Sequence, residues 1–177
     1  MSLLKIGGAI YSVGFLIGLT LALETGFVDP SGVPGVSSES SIQTNIELLS
    51  LVVNNMLSVL IIVLGLLSMG IFTILIGSYT GLIHGIIIGT GISESVGIYR
   101  VAILFIPHAI IELPALFTAI AAGLIIPLGL KEYLREEKSE PLTHSDLVDT
   151  VKLFLVAETL IVISSIIEYS VTHSIIR

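Results

Sequence analysis

Apolar residues fall in long blocks along this chain, separated by two polar stretches near 24–45 and 131–147. Leu3 to Leu23 is mostly apolar, with Lys5 its only charge, and a membrane-crossing helix takes about 20 such residues at ~1.5 Å each. The same run has the outline of a signal peptide. It is long, however, and Glu24-Thr25-Gly26 follows rather than a clean small-residue cleavage site, so a retained first span is expected. Residues 24–45 form a loop of Gly, Pro and Ser around Asp29-Pro30-Ser31-Gly32-Val33-Pro34-Gly35, with acids and no Lys or Arg. From Ile46 to about Gly91 the chain is apolar almost throughout. One helix of that length would reach ~70 Å, more than twice the hydrocarbon thickness. Two spans are predicted instead, reversing at Gly65–Gly70.

The next block is interrupted. Ile92 to Ile106 carries Glu94 and Arg100, Pro107 follows, and His108 to Leu130 is apolar again. Lys131 to Lys138 is charged in both signs, and Thr143 to Asp146 has the form of a capping box that starts a helix near His144. Lys5, Lys131, Arg135, Lys138 and Lys152 lie at or near one proposed face. The positive-inside rule then predicts a cytoplasmic N-terminus and 131–147 loop. Parity of crossings leaves one full helix between the third span and Lys131, so residues 93–106 read as an interfacial or re-entrant helix ending at a break at Pro107. The expectation is an all-α integral membrane protein, a single domain over 1–177. Its five spans fall at about 3–23, 46–66, 70–91, 107–130 and 148–172, with loop 24–45 and the C-terminus external.

Composition removes the alternatives. The chain is 54% hydrophobic and only 12% charged, with mean hydropathy +1.06, whereas a soluble domain carries about twice that charge. The bilayer is the partner this demands. A net charge of −7 argues against nucleic acid, which requires basic patches. Zero cysteines exclude disulfides, thiol catalysis and cysteine zinc sites. With no Trp, an aromatic belt would rest on Tyr11, Tyr79, Tyr99, Tyr133 and Tyr169.

Few polar residues interrupt the spans, and each needs a reason. Gly77, Gly81, Gly85 and Gly89 recur every four residues, the spacing that lets another backbone approach closely, within the chain or across a homodimer. His84 lies on the same stripe and is expected to face protein. His108 and Glu112 share one helix face as an i,i+4 pair, and ionisable groups in lipid are costly enough to suggest function. A pair that merely pins a helix break is the plainer reading. The last span carries Glu158 near mid-membrane and Glu168 near its outer end, while Asn54 and Asn55 lie about two turns into span two. Asn54, Asn55, His84, His108, Glu112 and Glu168 all fall in the outer half of this topology, which predicts a polar cluster opening outward.

These features together resemble the stage II sporulation protein M family of small multispanning proteins from bacteria and archaea, of which this chain reads as an archaeal-type member. The resemblance rests on Asn54-Asn55, the glycine-rich third span, Pro107-His108-x-x-x-Glu112-Leu113 and Ile167-Glu168-Tyr169, and covers about residues 45–172. The family usually has Gly after the His, where this chain has Ala109. Sporulation members are linked to a membrane assembly with peptidoglycan-degrading partners during engulfment, so the resemblance implies envelope membrane partners.

Three functions fit. The first is a transport-related or ligand-binding protein in which His108, Glu112 and Glu168 form an ion, proton or metal site, zinc or another divalent cation included. The second is a scaffold whose glycine surfaces organise partners or a homodimer. The third is an intramembrane metalloenzyme, the least supported, since the chain has no His-Glu-x-x-His, no Gly-x-Ser-x-Gly and no phosphate loop.

Overall fold

The structure is a computed structural model that describes residues 2–25, 48–93 and 98–176. It contains five long helices: α1 (Leu3–Thr25), α2 (Leu48–Leu64), α3 (Ile71–Ser93), α4 (Ile98–Leu134) and α5 (His144–Ile176). All five contain stretches long and apolar enough to cross a membrane, and no strand occurs among the described residues. The reason is elementary: hydrocarbon offers no hydrogen bonds, so each spanning segment must satisfy its own backbone, and a helix does. The external loop expected at 24–45 lies largely outside the described residues.

Two turns show how the sequence stops its helices. One 3-10 turn, Gly65–Ser68, ends α2, and the chain reverses through Met69 (φ 58°) and Gly70 (φ 80°) in left-handed backbone. The Gly70 N–H donates to the Gly65 carbonyl at 3.1 Å, while the Ser68 hydroxyl accepts from the Phe72 N–H at 2.9 Å and so caps α3. At the other turn, the Asp146 N–H donates to Thr143 Oγ1 (3.2 Å) and the Thr143 N–H donates to Asp146 Oδ2 (2.8 Å). This reciprocal box starts α5 at His144.

α4 departs from expectation. Residues 98–106 do not form a separate re-entrant element, and the helix does not break at Pro107; it runs for 37 residues through Pro107, Pro114 and Pro127. The first residues of the expected 93–106 segment lie partly among the undescribed 94–97. Proline removes one backbone donor, but a full break would orphan up to about four N–H and four C=O groups in a medium with no water. Continuity is the smaller loss. At ~1.5 Å per residue α4 reaches ~55 Å and α5 ~50 Å, both well beyond the ~30 Å of hydrocarbon. The charged end of α4 and the polar first turns of α5 therefore extend past the apolar layer.

The packing has a centre and a side. In its most apolar stretch α4 is 56% buried, against 22–28% for the other four helices, so the others surround it. Val59 and Ile62 of α2, Leu116 and Ile120 of α4, and Ala157 and Ile161 of α5 make the tightest core. α1 lies instead against α3 as a parallel neighbour, through interleaved glycines. A Cβ at Gly14 would collide with the Ser78 carbonyl and one at Gly18 with the Leu82 carbonyl. From the other side, a Cβ at Gly81 would strike the Tyr11 carbonyl and one at Gly85 the Phe15 carbonyl. Carbonyls seated over glycine Cα atoms are the geometry of interhelical Cα–H···O contacts. Gly77 turns toward Ile120 of α4, and Gly89 faces Ala22 of α1. The glycine ladder thus closes an interface inside one chain.

Candidate functional site

The site grows out of this packing. The buried face of α1 is Gly7, Tyr11, Gly14, Gly18 and Ala22, a stripe at i, i+4, i+7, i+11 and i+15. The buried face of α3 carries the glycine ladder with His84 beside it. Bringing the two stripes together places the Tyr11 hydroxyl 2.7 Å from His84 Nδ1. The donor and acceptor roles follow the imidazole tautomer: with the ring proton on Nε2, facing Glu112, the Tyr11 O–H is the donor and Nδ1 the acceptor. His84 Nε2 then faces Glu112 Oε1 of α4 at 3.7 Å, and His108 Nε2 faces Glu112 Oε2 at 3.8 Å. One carboxylate is therefore bracketed by two imidazoles from two helices.

The pair distances are slightly longer than hydrogen bonds, so the contact is electrostatic. His108 Nδ1 is enclosed without a completed hydrogen bond, the Leu104 carbonyl one turn earlier being the acceptor beside the ring. Phe105 sets its edge against both imidazoles, at centroid distances of 6.4 Å to His84 and 5.4 Å to His108. Phe15 and Phe117 pack on Tyr11 at 6.2 and 5.6 Å. These rings surround the polar chain with apolar surface, where unpaired charge is expensive and a shared proton matters. Ala109 is 5% exposed, so its methyl is accommodated inside the bundle. The Ser164 hydroxyl donates to the His108 carbonyl at 3.1 Å and ties α5 to this part of α4.

A second group adjoins the first. Asn55 of α2 donates from Nδ2 to Ser165 Oγ of α5 at 3.0 Å and is also a hydrogen-bond partner of Glu168. Glu168 in turn lies within electrostatic reach of Glu112. Of the residues singled out from sequence, His84, His108, Glu112, Asn55 and Glu168 thus occupy one region. Asn54 does not join them: its side chain is exposed, and its carbonyl accepts a local bond from Ser58 at 3.1 Å. Glu158 also stays apart, about 15 Å along α5 from Glu168 at ~1.5 Å per residue, half-buried with Oε2 enclosed and unbonded. Among the described residues no three His, Asp or Glu side chains are gathered into a set that could hold a metal ion, His108, Glu112 and Glu168 included.

Tyr11 is the residue that sequence reasoning misplaced. It is one of five tyrosines on which an aromatic belt, if present, would rest, yet it is 3% exposed and completes the His84 end of the chain. The signal was available in α1: Gly7, Gly14 and Gly18 share its face, and a tyrosine among small residues points into a helix contact. Ser165 carried a weaker signal, sharing a seven-residue spacing with Glu158 and Thr172.

An uncharacterized protein of Methanocaldococcus jannaschii is 28% identical over 166 residues, covering 94% of this chain and 91% of that protein. No solved structure matches. The family model described as Stage II sporulation protein M matches residues 8–173, a range that includes α2, α3 and α4, most of α1 and α5, and every residue of the polar cluster, and the chain belongs to that family.

Proposed function

We propose that the working ligand of this membrane protein is a proton, held in the bundle interior by Glu112 between His84 and His108 and used for proton-linked transport or rearrangement. The reading rests on one observation: the two oxygens of a single carboxylate face imidazoles from different helices, at 3.7 and 3.8 Å. Chains of Glu and His inside a bilayer are the material of proton relays, and imidazole is the side chain whose charge changes most readily near neutral pH. Tyr11 extends the chain by one O–H donor. A metal is a weaker reading, because the two imidazoles and the carboxylate meet as pairs at 3.7 and 3.8 Å and not as a set that could hold an ion among the described residues. The glycine ladder gives no support to a homodimer or scaffold surface, since it is occupied within the chain; a partner copy or envelope partner would have to use another face.

Orientation belongs to the same proposal. Lys131, Arg135 and Lys152 line one end of the bundle, which the positive-inside rule assigns to the cytoplasm. About 28 Å of helix separates Lys131 from Glu112, so the polar cluster then lies toward the outside.

Infrared difference spectra of the protein in lipid nanodiscs, recorded across a pH titration, test the reading. A titrating buried carboxyl band that disappears in Glu112→Gln and changes midpoint in His84→Gln and His108→Gln is the expected result. A band unaffected by Glu112→Gln would overturn it. So would stoichiometric zinc in protein purified without an affinity tag and lost with Glu112→Gln, which would put a metal in the proton's place.

A further inference from the structure

The starts of α1 and α5 and the end of α4 surround an open cleft of ≈690 Å³, within the ~300–1,000 Å³ usual for small-ligand sites. It lies far from the Glu112 cluster and is independent of it. The floor is apolar: Leu3 and Ile6 from α1, Ile125 and Leu128 from α4, and Leu153 from α5. All five are only half-buried, so the junction of three helices leaves apolar surface uncovered where the chain emerges from hydrocarbon.

The rim is charged in both signs. Asp146 is already neutralised, with Lys138 Nζ 2.6 Å from its Oδ2. That leaves three cations on the rim, Lys131, Arg135 and Lys152, and three carboxylates, Glu132, Glu137 and Asp149. Lys131, Glu132, Arg135 and Glu137 make no ion pair with any described residue, and the contact of Lys152 with Asp149 is loose, at 3.9 Å between exposed side chains. These six charges sum to zero. A purely anionic head would meet three attractions and three repulsions, while a head carrying both signs would find partners for both.

We propose that this cleft binds a zwitterionic amphiphile, a phospholipid whose head carries a phosphate and an ammonium. Lys131 in the last turn of α4 and Arg135 just past its end, whose N–H donates to the Lys131 carbonyl at 3.2 Å, take the phosphate. Asp149 of α5 and Glu132 of α4 take the ammonium, and Lys152 exchanges its loose contact with Asp149 for the phosphate. The apolar floor receives the first carbons of the tails, and the long stems of Lys131 and Arg135 lie along it while their heads stay in the polar layer. The match is one of sign and of layer: opposite charges paired above, apolar surface below.

The test uses the full chain in detergent, with native mass spectrometry and calorimetry as readouts. Three probes separate the possibilities: dihexanoyl phosphatidylethanolamine, dihexanoyl phosphatidylglycerol, and free sn-glycero-3-phosphoethanolamine, which has the same phosphodiester head without tails. Saturable binding of the first, about tenfold tighter than either of the others, is expected. Lys131→Gln/Arg135→Gln and Glu132→Gln/Asp149→Asn should each weaken it by about tenfold. All four side chains are exposed, so helicity by circular dichroism should be unchanged. Phosphatidylglycerol bound as tightly would make this an anion site and overturn the proposal. Equal binding of the free head group would remove the apolar floor from it, and wild-type affinity in either double variant would also overturn it.

Discussion

The two faces of α3 meet their neighbours in opposite ways. Toward α1, glycines seat backbone on backbone, with no room for a single added carbon at Gly14, Gly18, Gly81 or Gly85. Toward α4, His84 meets Glu112 across 3.7 Å, a separation longer than a hydrogen bond. The first interface gains from dispersion and Cα–H···O contacts summed along its length, and any loosening forfeits them. The second gains little from its geometry, and under the proposed function it responds to where a proton sits. A membrane helix can thus be fixed on one side and adjustable on the other, and here both properties come from residues within four positions of each other.

The glycine side should show the largest effect of substitution. Gly14→Ala drives a methyl into the Ser78 carbonyl and should cost about 1–3 kcal/mol in reversible unfolding from mixed micelles. Gly8→Ala is the control: its methyl would meet the Phe117 ring at an ordinary 3.5 Å, and stability should change little. Equal losses in the two variants would mean that helix propensity, not interface closure, sets the cost.

Next comes the bond that joins the two interfaces. Tyr11→Phe keeps the ring among Phe15 and Phe117 but removes the donor to His84 Nδ1, and should cost about 1 kcal/mol. It should also shift the imidazole resonances of His84 in nuclear magnetic resonance spectra more than those of His108. No change at His84 would show that the hydroxyl does not hold that ring.

A smaller effect separates neighbours in sequence. Asn55→Ala removes the donor to Ser165 at 3.0 Å and should destabilise by roughly 0.6 kcal/mol, the average for polar contacts between membrane helices. Asn54→Ala, on an exposed position, should have no measurable effect by the same unfolding assay. Reversed rankings would place the wrong asparagine against α5.

How far the sequence reached follows the same division. Block length and turn chemistry made the helices legible: Gly65–Gly70 reverses the chain, and Thr143 with Asp146 starts α5. Each signal is local, a matter of which groups would otherwise go unpaired. The family was legible for a similar reason, since Pro107-His108 and Glu112 lie within one short segment. Pro107 misled because a rule learned in water, where a broken helix is solvated, was applied to a medium that cannot solvate it. Partner choice was the least legible. The four-residue glycine spacing of α3 announced a close contact but not with which helix, and only the complementary stripe at Gly7, Tyr11, Gly14 and Gly18 identifies α1. Asn54 and Asn55 looked alike because a helical rotation of about 100° per residue decides which one turns inward, and the orientation of α2 was not in hand.

The charged end supplies the last contrast, an ion pair made in reach of water. Asp146 lies in the polar first turn of α5, and Lys138, followed by the Thr143 amide and hydroxyl, holds its carboxyl down to about 2. An unfolded aspartate titrates near ~3.9, so the native state prefers the ionised form. The stabilisation is therefore complete above about pH 4 and is lost as the pH falls from ~4 through ~2. Asp146→Asn should cost less than about 1 kcal/mol near neutrality, as partly solvated pairs do, and should flatten the pH dependence of stability between 4 and 2. Lys138→Ala should shift the same region without removing it, because Thr143 still donates to the carboxylate. Thermal melts across that range check both variants. An unaltered acid limb in Asp146→Asn would assign the limb to other carboxylates and leave this pair with a positional role, closing the turn between α4 and α5.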